Sequence, residues 1–119
     1  MKVFLIDPIA GKVTEHDIPR SGSGFLECSY ELLQCSCVTI AQYDEKNVVY
    51  CDDEGLLKER EGFFMTPAHP DLICGRALVV GDCDDDGENT ETSLTLEDVQ
   101  KGVSMVKADH LYQILASLR

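Results

Sequence analysis

The spacing of apolar residues changes period several times along the chain, and each change marks an element. Lys2-Val3-Phe4-Leu5-Ile6 is a short β-prone run stopped by Asp7-Pro8, because proline has no amide hydrogen to give to a neighbouring strand. Gly11 supplies a turn and residues 13–18 alternate in part, so residues 2–18 read as a β-hairpin. A Ser/Gly loop follows at 19–24. In 25–33, Phe25, Cys28 and Leu32, and also Leu26, Tyr30 and Leu33, recur at three- and four-residue steps, which is the helical period. Residues 37–43 and 48–51 are rich in β-branched and aromatic residues on either side of Asp44-Glu45-Lys46-Asn47, a pattern that predicts two strands joined by a turn. Asp52-Asp53-Glu54-Gly55 ends the second strand, with Gly55 read as a residue of positive φ.

Beyond that point the pattern weakens. Pro67 and Pro70 make residues 59–72 read as irregular, with Phe63-Phe64-Met65 tucked into the core. Residues 73–80 are nearly continuously apolar and read as one central strand buried on both faces. Residues 81–93 form an acidic loop. Thr95-Leu96-Glu97-Asp98 is a capped helix start, with an acid three residues after a threonine. Residues 103–107 read as an edge strand. Residues 109–118 read as a helix with Leu111, Ile114, Leu115 and Leu118 on one face. The fold class is α+β: a mostly antiparallel mixed sheet of about five strands, packed on one face by the helices at 25–33 and 109–118. The expected organisation is one domain over 1–119.

Charge narrows the function classes. Twenty-two acids against ten bases give a net charge of −12. That sign repels polyanions, so neither direct nucleic-acid binding nor membrane binding is expected. The opening apolar run is too short and too soon interrupted for an export signal, so the expected location is the cytoplasm. There, six cysteines read as reduced, buried thiols rather than disulfides.

No chemical constellation is complete. Asp82-Cys83-Asp84-Asp85-Asp86-Gly87 has the alternating acids and glycine that open a calcium loop. The pattern then fails, with Asn89 where an apolar residue belongs and Ser93 where the closing glutamate belongs, so it reads as a hydrated acidic turn. Cys35 and Cys37 are the one close cysteine pair, short of the four ligands zinc needs. Cys74 with His69 reads as a buried thiol without activation. No catalytic residue, metal or cofactor is therefore expected, and the chain reads as a non-enzyme. The acids Asp52, Asp53, Glu54, Asp82, Asp84, Asp85, Asp86 and Glu88 are the candidate contacts to a partner with a basic surface. In the alternative reading, a small-ligand-binding or nucleotide-sequestering protein at an oligomer interface, Arg20, Lys58, Arg60 and Arg76 would hold the ligand. A homo-oligomer is compatible with either reading.

Three blocks together carry a family resemblance. They are the opening strand with its Asp7-Pro8 stop; Tyr50-Cys51-Asp52-Asp53-Glu54-Gly55-Leu56-Leu57; and Ile73-Cys74-Gly75-Arg76-Ala77-Leu78-Val79-Val80-Gly81, followed by an acidic loop and Leu94-Thr95-Leu96-Glu97-Asp98-Val99. Over about residues 1–106 the chain resembles an uncharacterised, phage-encoded family of small proteins known as a domain of unknown function. The resemblance implies a phage accessory protein acting in the bacterial host cytoplasm, and no particular activity. Joined to the charge, it leads to the expectation of a non-catalytic protein that binds and inhibits a host protein, one of defence or one that binds nucleic acid.

Overall fold

The computed structural model describes residues 1–20, 22–35, 38–52, 62–67, 69–83 and 89–107. The expected hairpin forms from β1 (Lys2–Asp7) and β2 (Lys12–Asp17). Its turn is organised by Asp7, whose Oδ1 accepts hydrogen bonds from the amides of Ile9 and Ala10, both at 3.1 Å. Helix α1 (Gly22–Leu33) follows. It ends in paired hydrogen bonds from Cys35 N to Tyr30 O and from Gln34 N to Glu31 O, with Gln34 at φ 54°. This is the helix stop usually given to glycine, here carried by glutamine.

Strands β3 (Val38–Gln42) and β4 (Asn47–Asp52) come next, then β5 (Gly62–Thr66), β6 (His69–Cys74), β7 (Ala77–Cys83) and β8 (Asn89–Thr90). Helix α2 (Leu96–Gly102) and β9 (Ser104–Lys107) complete the described chain. One sheet, A, has the order β2-β1-β7-β4-β3, with β8 added to the end of β7; a second sheet, B, has the order β6-β5-β9. All pairings among the described strands are antiparallel.

Register sorts the side chains of sheet A into two cores. Phe4, Val79 and Val49 lie in one cross-strand row, and Ile6, Ala77 and Cys51 in another. These residues face sheet B, where they pack with Phe64, Ile73, Tyr43 and Val99 of α2. The alternate positions Val3, Leu5, Val48, Tyr50, Leu78 and Val80 face α1 and pack with its Phe25 and Leu33. Phe25 meets Tyr50 edge to face, with ring centroids 5.2 Å apart, a geometry the ring quadrupoles favour. An antiparallel sheet commonly leaves one face to water. Here both faces are covered, which is why β1, β4 and β7 are apolar almost throughout.

Three expectations need correction. Residues 62–66 and 69–74 are strands rather than irregular chain. Pro70 is tolerated because β6, among the described residues, is an edge of sheet B and pairs with β5 across a register shift, a position where a missing donor costs least. The apolar run at 73–80 is two strands of different sheets. Gly75, at φ 77°, turns the chain between them, a conformation glycine adopts without strain. The second face of sheet A is covered by sheet B and α2, and sheet A has six strands; the expected helix at 109–118 lies outside the described residues. Phe64 is fully buried in the core, as the apolar run at 63–65 requires. The α2 capping box forms: Thr95 Oγ1 accepts from Asp98 N at 3.1 Å and Asp98 Oδ2 from Thr95 N at 2.9 Å.

Candidate interaction surface

The start of β1, the end of β2, the β3–β4 turn and the β7–β8 hairpin meet at one end of sheet A. Register sets Asp17 opposite Lys2 and Glu15 opposite Phe4. The Lys2 amide donates to Glu91 Oε1 at 2.8 Å, which brings the chain after β8 beside them. The Met1 ammonium donates to Asp17 Oδ1 at 2.7 Å and to the Ile18 carbonyl at 2.8 Å. Together Met1, Lys2, Glu15, His16, Asp17 and Glu91 line an open cleft of about 420 Å³. On the other side of β7, the Asp82 amide donates to the Lys46 carbonyl at 2.9 Å, placing Asp82 next to the turn that carries Asp44 and Glu45. Glu15, Asp17, Glu45, Asp82 and Glu91 are all exposed; the Met1 ammonium offsets Asp17, and Lys2 and Lys46 lie among them, so the carboxylates here outnumber the cations and leave a negative field that salt screens further.

This end is held by a buried polar network. Tyr50 Oη donates to Asn89 Oδ1 at 2.6 Å, and Asn89 Nδ2 donates to the Arg20 carbonyl at 3.3 Å. Thr92 Oγ1 donates to Asn47 Oδ1 at 2.6 Å, while Asn47 Nδ2 reaches the Asp44 carboxylate at 3.0 Å. These bonds satisfy groups that would otherwise be costly to bury. Burial, with the nearby Cys83 and Asp82, pushes the Tyr50 phenol above its ordinary range, against the opposing pull of its bond to Asn89.

Of the sequence-expected acids, the two that are described, Asp52 and Asp82, lie at opposite ends of sheet A. Asp52 is buried at the far end of β4, about 16 Å along the strand from the Asp82 end at the usual rise per residue. Asp82 is exposed at the acidic end. Asp53, Glu54, Asp84, Asp85, Asp86 and Glu88 lie outside the described residues, as do Gly55, Cys37, Lys58 and Arg60. Of the cations of the alternative reading, the two that are described, Arg20 and Arg76, are also apart. Arg20 is beside Asn89, whereas Arg76 sits at the opposite end of β7, its Nε 3.2 Å from Asp7 Oδ2. Glu15, Asp17, Asp44 and Glu45 were not singled out in the sequence. The hairpin register and the turn before β4 were the signals that place them.

Of the thiols, Cys51 is buried, Cys28 and Cys35 are half-buried and Cys83 is exposed, so the expectation of buried thiols does not extend to Cys83. Among the described residues, no group of three or more His, Cys, Asp or Glu is placed to hold a metal. No described helix is long and apolar enough to cross a membrane.

Architecture and surface define a small α+β domain with a doubly covered antiparallel sheet and one acidic end. The chain belongs to the family described as "Domain of unknown function (DUF3846)", whose profile matches residues 1–107. No curated protein matched the chain, and no solved structure did.

Proposed function

We propose that this chain is a non-catalytic phage accessory protein that acts in the host cytoplasm by docking its acidic end onto a basic surface of a host protein and blocking it. The observation that carries the reading is the gathering of Glu15, Asp17, Glu45, Asp82 and Glu91 at one end of sheet A, in a chain of net charge −12. The β7–β8 connection adds Asp84, Asp85, Asp86 and Glu88 to the same hairpin in sequence. A protein that normally holds nucleic acid offers such a basic surface, since phosphate spacing demands one. The fit is electrostatic and sets encounter rate and specificity.

The test begins with capture of a partner from a lysate of the bacterial host. Its affinity is then measured from about 50 to about 200 mM salt, for the natural chain and for one carrying Asp84→Lys, Asp85→Lys and Asp86→Lys. The proposal expects affinity to fall steeply with salt and to be lost on charge reversal. A partner held equally well by both chains, indifferent to salt, contradicts it.

A further inference from the structure

We propose that β3 is a self-docking edge, through which two copies of this chain pair β3 to β3 about a two-fold axis at Ile40. β3 ends the order of sheet A, and among the described residues no strand pairs with its outer side. The phase of its hydrogen bonds follows from the turn. Tyr43 N donates to Asn47 O at 3.0 Å, and antiparallel bonding alternates. Tyr43, Ala41 and Thr39 therefore turn their backbone groups towards β4, while Val38, Ile40 and Gln42 turn theirs outward. Thr66 Oγ1 of β5 donates to the Gln42 carbonyl at 3.1 Å, so that carbonyl points away from β4 and already has one partner; a carbonyl has a second lone pair, which a further strand would use.

The exposed edge is also uncharged. Residues 35–43 contain no Asp, Glu, Lys or Arg in a chain that is 27% charged. Ile40, at 54% exposure, is the most exposed large apolar side chain of the described residues. It stands opposite Tyr50, on the α1 side of the sheet. Ile40 is the middle of the five residues Val38–Gln42. Antiparallel pairing of two copies centred there sets Ile40 against its equivalent and Val38 against Gln42, so every pair is uncharged. The outer edge of β2 behaves oppositely. The same operation centred on its Glu15 would set glutamate against glutamate, which is destabilising. A two-fold pairing uses the β3 edge of both copies, so association through that edge closes at two.

Two chains of charge −12 repel at long range, and salt screens that repulsion. Self-association thus strengthens as salt rises, whereas binding of the acidic end to a basic partner weakens. The two proposals stand or fall separately.

Sedimentation equilibrium of the full chain tests the edge. The natural chain is expected to be a dimer at tens of micromolar that tightens with salt. Ile40→Lys, which opposes two ammonium groups at the axis, is expected to weaken dimerisation by at least about tenfold. Hydrogen-bonded antiparallel residues lie about 5.5 Å apart at Cα, within the reach of a disulfide. Ile40→Cys is therefore expected to yield a covalent dimer on mild oxidation, above the level of the natural chain. A natural chain that stays monomeric at about 100 μM, a dimer indifferent to Ile40→Lys, or Ile40→Cys that fails to cross-link overturns the proposal.

Discussion

β2 and β3 close the two sides of the same sheet with different chemistry. β2 carries exposed Lys12, Glu15 and Asp17 and is fastened at both ends. Asp7 and Arg76 hold the turn before it, and the Met1 ammonium holds Asp17 after it. α2 supports it from the sheet-B face, where Val99 and Val13 share a core. β3 carries no charge and is tied down chiefly at its far turn, where Asp44 Oδ1 accepts from the amides of Lys46 and Asn47, each at 2.8 Å. Charge on an edge strand discourages pairing with a stranger. The chain has 22 acids and places none on β3. The difference separates two kinds of contact: the β2 side and its neighbours offer a negative field, and the β3 side offers the outward backbone groups of Val38, Ile40 and Gln42, with which no described strand pairs.

The largest expected effect concerns how β2 is fastened. Asp7 is 8% exposed and accepts two amides and one guanidinium. Asp7→Ala removes all three bonds and leaves Arg76, half-buried, without its carboxylate. Losing a charged acceptor of this kind costs about 2–3 kcal/mol, to be read from urea unfolding. A change below about 0.5 kcal/mol, the usual size at an uninvolved surface position, would show that the Asp7 bonds do not fasten β2.

A smaller effect is expected at α2. Thr95→Ala removes the cap and should cost about 1 kcal/mol, weakening the support that α2 gives β2 through the core of Val99 and Val13. The same cap has a pH signature. The Thr95 backbone amide and hydroxyl hold the Asp98 carboxyl below its ordinary value. A carboxyl whose folded pKa lies below the unfolded one stabilises the fold above the unfolded value, 3.8, and that contribution fades as pH falls through the folded value. Asp98→Asn should therefore flatten the acid limb of the melting temperature against pH. An unchanged acid limb would separate the cap from the acid stability of this side.

Much of this asymmetry was legible in the sequence. The 2–18 hairpin, the 25–33 helix, the strands around Asp44–Asn47 and the Thr95–Asp98 cap each have a strong local signal, and each forms. Residues 62–74 do not read as strands because their prolines speak louder than Phe64 and Ile73. A sequence does not state that a strand will be an edge, where proline is harmless. The run at 73–80 was misread because Gly75, within an apolar stretch, looks like a strand glycine when it is a turn between two sheets. The acidic surface was legible as charge but not as place. Asp52 and Asp82 look equivalent along the chain, and β4 sends one into the interior at one end while the other stays exposed beyond the opposite end. The bare edge was hidden for the same reason: Val38–Gln42 reads equally well as a central strand.

Amide hydrogen exchange, followed residue by residue at two protein concentrations, tests the contrast between the edges most directly. Ile18 N donates to Met1 O at 2.9 Å, so by alternation Val13, Glu15 and Asp17 turn their amides away from β1, as Val38, Ile40 and Gln42 turn theirs away from β4. The account predicts that Ile40 and its outward neighbours gain protection as concentration rises, while Val13, Glu15 and Asp17 exchange at the same rate throughout. Equal protection at both edges, or none at either, would contradict it.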